Sequence, residues 1–304
     1  MDASPLVSVI IPNHNYGRYL RQAVESALGQ TYPHREVLVV DDGSDDDSEA
    51  VLRGYGGRIR WVRQSRQGGA AARNRGVAES RGTLLAFLDS DDRWLPEKLE
   101  RQVARWVAEP ELGLVHCGVH FIDAEGRRLG ALCEGVEGWA APELLLFRRL
   151  TYVTGGSGSL VPREAFEAAG GFDARLSTSA DWDFYYRVAV RRRFGFVPEP
   201  LVEMRKHGTN MHANIRAMER DMLLAYEKAF RDAAPEIRRL RRRAYGNLHM
   251  VLAGCFFRAG QPGPFARHLA RSLWLTPANG GRVLGFPVRW GRRLRGKDPQ
   301  WQLV

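Results

Sequence analysis

Short apolar runs alternate with helix-like segments through the first half of the chain. The runs at 6–11, 36–40 and 83–88 have the length and composition of strands buried in a sheet. In 17–30 and 70–80, apolar residues instead recur at helical spacing. Because these strands and helices alternate with short connections, the pattern predicts an α/β fold built on a doubly wound parallel sheet.

Polar residues follow each of the three predicted strands directly. The first strand ends in the turn 12–16, and the second is followed at once by Asp41 and Asp42. The third ends in Asp89-Ser-Asp-Asp92, which places three carboxylates within four positions. In an open parallel sheet, ligands bind outside the carboxyl ends of the strands, so all three strand ends are expected to border one polar site.

The crowded carboxylates indicate a divalent metal. Neighbouring carboxylates repel one another unless a cation or bound protons compensate, and their oxygen atoms suit Mg²⁺ or Mn²⁺ shared with phosphates. The alternative is a solvated loop whose acids cap a helix beginning at Pro96, and for 84–92 alone the two interpretations stand equally. The second acid pair, Asp41 and Asp42, favours the metal site.

Two common nucleotide-binding motifs do not occur where this pattern would place them. The first strand is not followed by Gly-x-Gly-x-x-Gly, which disfavours an enzyme that transfers hydride from a dinucleotide. The chain also lacks Gly-x-x-x-x-Gly-Lys-Ser/Thr, the phosphate-binding loop of many ATPases. A diphosphate at this sheet would therefore be held by a metal and by side chains.

Composition indicates a globular protein in a reducing compartment. The 304 residues are 44% hydrophobic and 26% charged, enough for one large or two modest domains with a core. The three cysteines are too few and too scattered for a disulfide framework. Neither a signal-like start nor an apolar stretch of about 18 residues is found, so a cytoplasmic location is expected.

Positive charge is concentrated in the last third of the chain. Residues 1–204 contain 25 Lys/Arg and 29 Asp/Glu, a net charge of −4, whereas 205–304 contain 20 and 6, a net charge of +14. Helical spacing predicts a basic helical region over 213–304. Its arginines and aromatic residues suit peripheral contact with the anionic inner face of a membrane; a solvated surface and packing against the rest of the chain are the alternatives.

Five segments, in order, resemble the motifs of family-2 glycosyltransferases. They read Val7-Ser-Val-Ile-Ile-Pro-Asn-His-Asn-Tyr16, Gln30-Thr-Tyr-Pro33, Val39-Val-Asp-Asp-Gly-Ser44, Ala72-Arg-Asn-Arg-Gly76 and Phe87-Leu-Asp-Ser-Asp-Asp92. The resemblance extends from about residue 6 to about residue 207. It implies a GT-A fold, with a catalytic domain over 1–212 and the basic helical region over 213–304. It also implies a nucleotide-diphosphate sugar donor, a divalent metal (Mn or Mg) and transfer with inversion at the anomeric carbon.

The resemblance also implies which residues bind the donor. The nucleotide-sugar site it implies is formed by Pro12, Asn15, Asp41, Asp42, Arg73 and Asp89. The first three would surround the base and ribose. Asp42 would support that site, and Asp89 would lie on the ribose side. Arg73 would lie near the nucleotide, and the alternative for it is an arginine on a helix surface.

Metal ligands are implied at the end of the third strand and beyond residue 200. Asp91 is the expected ligand, and a different alignment to the family gives this role to Asp92. His207, in Met204-Arg-Lys-His207, matches a position where related enzymes place a histidine near the metal or diphosphate. A neutral imidazole can complete such a site, and a surface histidine in a basic turn is the alternative.

Asp181 is the expected catalytic base. Many family members have a Glu-Asp pair at the start of a helix here, and its Asp removes the acceptor proton; this chain has Ala180-Asp181, so the glutamate is missing. A carboxylate at a helix N-terminus is favoured by the helix dipole and stays ionised. The alternative is that Asp181 only caps the helix, a task for which Ser179 is also available.

The expected partners are a nucleotide-diphosphate sugar donor and a glycan or lipid-linked acceptor, in the assembly of cell-surface polysaccharide or glycolipid. A nucleotidyltransferase would also use a metal and paired acids, but 12–16 offers no Lys or Arg for a phosphate loop. A nucleic-acid-binding protein would exploit the basic tail without needing carboxylates at two strand ends. Nucleic acid is therefore not expected as a partner.

Overall fold

The computed structural model describes residues 4–147, 156–207 and 214–284, leaving aside the side chains of Arg282 and Leu284. These residues divide into two units. The first contains 4–141 and 156–207, and the second contains 142–147 and 214–284.

Strands and helices alternate through the first unit, and the second is helical. The strands are β1 (Val7–Asn13), β2 (Arg35–Asp42), β3 (Arg60–Gln64), β4 (Leu84–Phe87), β5 (Arg93–Trp94), β6 (Leu114–Ile122), β7 (Arg128–Leu132), β8 (Leu160–Pro162) and β9 (Phe194–Arg205). The α-helices of the first unit are α1 (Gly17–Leu28), α2 (Ser48–Arg53), α3 (Gly69–Glu79), α4 (Lys98–Ala108), α6 (Arg163–Ala169) and α7 (Ala180–Ala189). Helix α5 (Ala141–Leu146) leads into the second unit, which continues with α8 (Ile215–Arg231), α9 (Pro235–Arg238), α10 (Arg241–Arg258), α11 (Pro262–Leu275) and α12 (Gly280–Leu284).

The described strands form one nine-stranded sheet. Its order is β3-β2-β1-β4-β8-β6-β9-β5, and β7 pairs with β6. The pairs β1–β2, β1–β4, β2–β3 and β6–β9 are parallel, and β5, β7 and β8 run in the opposite direction. The predicted α/β fold with a mostly parallel sheet is confirmed, but the three reversed strands make the sheet mixed.

The core lies on both faces of β1. Every residue of this strand is buried, and α1 covers it with Leu20, Ala23, Val24 and Ala27, which are fully buried and helically spaced. Helix α3 packs on the sheet so closely that a Cβ on Gly76 would lie 2.4 Å from Ile10 Cγ2. Only glycine fits at that crossing, which fixes α3 and the residues that it carries against the sheet.

The carboxyl ends of β1, β2, β4 and β9 lie at one edge of the sheet. Asn13 is opposite Asp41 in the β1–β2 ladder, and Ile10 is opposite Phe87 in the β1–β4 ladder. The acids at the end of β2 and those after β4 therefore lie at the same edge, as predicted. Within the second unit, hydrogen bonds join the segment 142–147 to the helices that follow residue 214. Tyr226 Oη of α8 donates to the carbonyl of Leu145, and Asn247 Nδ2 of α10 donates to the carbonyl of Leu146.

The described part of the basic region, 214–284, is helical, which confirms the prediction there; residues 285–304 lie outside the described residues. The spacing of apolar residues predicts one helix over 236–260, whereas the structure has two, α9 and α10, separated by residues 239 and 240. Within the residues that the structure describes, no helix is long and apolar enough to cross a membrane.

Candidate active site

A buried polar network joins the ends of β1 and β2. Asn13 Nδ2 donates to Asp41 Oδ1 at 3.2 Å, to Ser44 Oγ at 3.2 Å and to Ser48 Oγ at 2.9 Å. Asp41 is 1% exposed, and Arg63 Nε lies 3.5 Å from its Oδ2. The network fixes the Asp41 carboxylate at the edge of the sheet, where hydrogen bonds and a cation compensate the cost of burying its charge.

Asn15 links the turn after β1 to the turn after β2. Its φ of +58° is in the left-handed region, which asparagine tolerates better than most residues. Its backbone N donates to Ser44 Oγ at 3.0 Å, and its side-chain Oδ1 accepts from Asp45 N at 2.9 Å. Pro12 is buried one strand residue before this turn, opposite Val40.

Asp42 organises the loop that precedes α3. Its Oδ1 accepts from Gln64 Nε2 and from Gln67 N, both at 2.8 Å, and its Oδ2 accepts from Gly68 N at 2.7 Å. The side chain is buried. Both carboxylate oxygens are therefore engaged by the protein, and the residue shapes the loop 64–68.

Arg73 and Asp89 form an ion pair between α3 and the end of β4. Arg73 is 7% exposed, whereas the Asp89 side chain is 31% exposed and faces the edge of the sheet. The alternative of a surface arginine is therefore excluded. Burial lowers the pKa of Arg73, but the carboxylates of Asp89 and Asp181 outweigh burial and raise it overall. Gly156 approaches this pair so closely that a Cβ there would lie 3.0 Å from Arg73 Nη2 and from Asp89 Oδ1.

Asp91 and His207 face each other across the ends of β4 and β9. His207 Nε2 lies 2.9 Å from Asp91 Oδ2, and the two side chains are 3% and 14% exposed. The ring of His207 also lies against Tyr16 and Tyr19, with centroids 5.6 and 5.4 Å away. The alternative of a surface histidine is excluded by this burial.

Asp92 points into the protein. Its Oδ2 accepts from Ser157 Oγ at 2.5 Å, and its Oδ1 accepts from the backbone N of Arg205 at 2.8 Å. Burial, together with the neighbouring Asp91 and Asp89 carboxylates, raises the pKa of Asp92 well above its ordinary value. Among the described residues, His, Cys, Asp and Glu nowhere form a group of three suited to a metal. Both carboxylate oxygens of Asp92 are bonded within the protein, so the proposal below assigns the metal to Asp91 and His207.

Arg205 is a site residue that the sequence did not indicate. It is 1% exposed, and its Nε donates to the carbonyl of Asp91 at 2.9 Å. Its other guanidinium nitrogens donate to the carbonyls of Asp123 and Ala124 and to Gln22 Oε1. The guanidinium therefore holds the backbone of Asp91 in place. In the sequence, the one indication that Arg205 belongs to the site is its position two residues before His207.

Asp181 lies in the first turn of α7. Its Oδ1 accepts from the backbone N of Trp182 at 2.8 Å, and Ser179 precedes the helix without a side-chain capping bond. Asp181 is near enough to Arg73 for its charge to help raise the pKa of that guanidinium. Asp183, by contrast, is buried and accepts from Arg187 Nε and Nη2 at 2.9 and 2.7 Å.

Relatives in sequence are glycosyltransferases of bacteria. An uncharacterized glycosyltransferase of Rickettsia prowazekii is 32% identical over 209 residues, which is 67% of this chain and 65% of that protein. The putative teichuronic acid biosynthesis glycosyltransferase TuaG of Bacillus subtilis is 44% identical over 103 residues, 33% of this chain and 41% of that protein. The chain thus spans less than two thirds of the length of these relatives.

Solved structures share the fold at low sequence identity. The 1–349 portion of TarS from S. aureus, in complex with UDP-GlcNAc, has a TM-score of 0.65 and 18% identity, covering 90% of this chain and 82% of that one. The mannosyltransferase PcManGT of Pyrobaculum calidifontis, in complex with GDP-Man and Mn²⁺, has a TM-score of 0.63 and 20% identity, covering 97% and 85%. The expected GT-A type of fold is confirmed. Residues 8–169, more than half of the 304, match the model of glycosyl transferase family 2, and the chain belongs to that family.

Proposed function

We propose that the protein is an inverting glycosyltransferase that moves a sugar from a nucleotide-diphosphate sugar to an acceptor hydroxyl. The observation that carries this proposal is the juxtaposition, at one sheet edge, of the Asp91–His207 pair and the Arg73–Asp89 pair. A carboxylate–imidazole pair suits a metal, and a guanidinium–carboxylate pair suits a phosphorylated sugar. Membership of glycosyl transferase family 2 supports the same reaction class.

The donor is proposed to lie across the ends of β1, β2 and β4. Pro12, Asn15 and Asp41 border the base and ribose in this arrangement, and the hydrogen bonds between the two turns keep that border rigid. Asp42 supports it through the loop 64–68. Arg73 and Asp89 then meet the ribose and the phosphate-linked sugar. UDP-GlcNAc and GDP-Man, bound by the two structural neighbours, are the first donors to try.

The donor set fits a divalent metal that is shared with the substrate. Asp91 and His207 would hold Mn²⁺ or Mg²⁺ by one carboxylate oxygen and one imidazole nitrogen, and these ions commonly take further ligands from phosphates and water. When bound, the metal would neutralise negative charge on the departing nucleoside diphosphate. PcManGT was solved with Mn²⁺, so manganese is the ion to test first.

Catalysis is proposed to rest on Asp181. Its carboxylate takes the proton of an acceptor hydroxyl, whose oxygen forms a bond to the anomeric carbon as the bond from that carbon to the diphosphate breaks. The electron pair of the broken bond leaves with the diphosphate, and attack from the opposite face inverts the configuration. Asp181 lies in the first turn of α7 and within electrostatic range of the Arg73 guanidinium, beside the proposed donor.

The acceptor is proposed to be a glycan or a lipid-linked saccharide at the cytoplasmic side of the cell envelope. The supporting comparison is TuaG, described as a putative glycosyltransferase of teichuronic acid biosynthesis. This would place the reaction in the assembly of cell-surface polysaccharide or glycolipid.

A donor panel tests the reaction class. The full chain is incubated with Mn²⁺, single nucleotide sugars and an extract of envelope glycolipids, and released nucleotides are separated by chromatography. A glycosyltransferase releases the nucleoside diphosphate, whereas a nucleotidyltransferase would release or consume pyrophosphate. The anomeric configuration of the product, read by NMR, tests inversion. Absence of both nucleotide release and metal-dependent thermal stabilisation across the panel would overturn the proposal.

A further inference from the structure

Exposed arginines cluster where α9 passes into α10. Together with a nearby tryptophan they form a set of exposed side chains that we call the Arg–Trp surface. It consists of Arg238, Arg239, Arg241, Arg242, Arg243 and Trp274. The surrounding sequence is unusual, because residues 237–297 contain 14 Lys/Arg and no Asp or Glu. After Glu236, the positive charge of this surface is therefore followed by no acidic residue until Asp298.

These arginines also lack acidic partners in space. In the first unit, arginines such as Arg63, Arg93 and Arg187 pair with carboxylates. Within the described part of the chain, none of the five arginines at 238–243 forms an ion pair, and Arg239 and Arg243 make no side-chain hydrogen bond. Their charges repel one another, and within the described chain only backbone carbonyls and the Tyr245 ring contact their guanidinium groups.

The position of these arginines at a helix N-terminus is also electrostatically unfavourable. Three of the arginines occupy the first turn of α10, which has no acidic residue and no side-chain cap. The positive end of the helix dipole favours anions at this place, so cations there are unfavourable. A cluster of cations at a helix N-terminus, with no carboxylate paired to it in the described chain, breaks a folding rule, and such exceptions are expected at functional sites. An external anionic partner would supply the missing compensation.

Trp274 lies beside the arginines. Arg242 donates from Nη2 to the carbonyl of Trp274 at 3.3 Å and from Nε to the carbonyl of Leu275 at 3.0 Å, which ties the start of α10 to the end of α11. The indole is 75% exposed, the largest exposure among the big hydrophobic side chains described. Leu273 and Leu275 on either side of it are half-buried aliphatic groups.

We infer that the Arg–Trp surface binds the anionic surface of a lipid bilayer. Its arginines meet lipid phosphates, and the Trp274 indole enters the interface between headgroups and acyl chains, where tryptophan is enriched. The aliphatic neighbours of the indole favour hydrocarbon over a nucleic-acid base. Binding of this kind is independent of catalysis, and it would bring the proposed active site to lipid-linked acceptors.

Flotation with vesicles tests the inference on the full chain. Phosphatidylcholine vesicles with and without phosphatidylglycerol are compared at low and high salt. We expect flotation only with phosphatidylglycerol, and less of it as salt rises. Each arginine near an anionic surface contributes about fivefold in partitioning, so Arg239→Gln with Arg243→Gln should lower it about 25-fold. The matched double lysine variant should keep most of the binding.

Trp274→Ala should also reduce flotation, and Trp139→Ala is its control. Trp139 is 61% exposed in the first unit, so its loss removes an equally large exposed indole outside the surface. Thermal unfolding of each variant verifies that it is folded. Equal flotation with both kinds of vesicle, or unchanged flotation of the arginine and Trp274 variants, would overturn the inference. So would salt-dependent retention on single-stranded nucleic acid without vesicle binding. Nucleoside diphosphate release is assayed separately and should be unaffected by these variants.

Discussion

His207 Nε2 lies 2.9 Å from Asp91 Oδ2, although 116 positions separate the two residues in the chain. The contact joins the end of β9 to the acids after β4. Asp92, the next residue, turns the other way and is bonded to Ser157 and to the backbone of Arg205. The two adjacent carboxylates therefore have different environments: Asp91 lies beside His207, and Asp92 is bonded within the protein.

Asp91→Asn and His207→Ala are expected to raise the Mn²⁺ concentration needed for half-maximal activity. Each removes one of the two proposed protein ligands. Loss of a group that only orients a ligand already lowers metal affinity about 10–100-fold, so an effect of at least this size is expected. Asp92→Asn should leave this concentration close to the parent value, because its carboxylate is bonded within the protein. Nucleotide release measured across a manganese titration separates the three variants. A metal requirement raised by Asp92→Asn alone would reverse the assignment.

Gly156→Ala is expected to weaken donor binding. The new Cβ would lie 3.0 Å from both Arg73 Nη2 and Asp89 Oδ1, so the ion pair must shift. The affected atoms are the ends of two side chains that can give by a few tenths of an ångström, so the protein should still fold, while a donor that uses the pair should bind about two- to tenfold more weakly. Calorimetric titration with the donor and Mn²⁺ measures the change. Gly57→Ala is the control, since a Cβ there meets nothing within 4 Å; equal losses in the two variants would argue against a role for the pair.

The sequence pattern was sufficient to predict the edge of the sheet at which the site lies. Buried parallel strands are apolar runs, and polar residues directly after β2 and β4 must lie at their carboxyl ends. The pattern did not predict β5 and β8, because strands of only two and three residues are too short to show a periodicity. These short strands owe their direction to pairing with longer neighbours.

The roles of individual acids depend on contacts between distant parts of the chain. Asp91 and Asp92 are equivalent in a linear motif, and Ser157, 65 positions from Asp92, distinguishes them. Arg205 could not be predicted as a buried residue, because an arginine at a strand end is ordinarily exposed. Its burial depends on acceptors contributed by Gln22, Asp91, Asp123 and Ala124.

The stability of the second unit is expected to fall between neutral and acidic pH. Between α8, α10 and α11, His249 Nδ1 lies 2.9 Å from His268 Nδ1, and His268 Nε2 lies 3.0 Å from Glu219 Oε1. With both rings neutral, His268 donates from Nε2 to Glu219 and accepts at Nδ1 from His249. Burial, then the neighbouring His268, Arg271 and Arg267, lower the pKa of His249 to about 4, despite an opposing effect of Glu219. Burial also lowers the pKa of His268.

The direction of the pH effect follows from these shifts. In the unfolded chain His249 takes up a proton near its ordinary pKa of 6.5, whereas in the folded protein it does so only near 4. Between these values unfolding binds a proton, so the free energy of unfolding falls as pH falls, by about 3 kcal/mol for this group. His249→Gln should flatten the dependence of melting temperature on pH between 7 and 4. An unchanged slope would show that the histidine pair does not control it.

Asp181→Asn is expected to lower kcat by about 10²–10⁴-fold while leaving the donor affinity close to the parent value, because a general base acts on the acceptor and an amide cannot take its proton. The rival role, a helix cap, predicts a different result. Asp181 Oδ1 accepts from the Trp182 backbone N, and an asparagine oxygen would preserve that bond together with most of the stability and activity.

Asp183→Asn provides the contrast within the same helix turn. It breaks a buried ion pair with Arg187, so it should lower the melting temperature more than Asp181→Asn does. Single-turnover rates at saturating donor, read beside thermal unfolding, therefore distinguish a base from a cap. A large loss of kcat in Asp181→Asn with an unchanged melting temperature supports the base, and near-parental turnover would assign Asp181 to the helix alone.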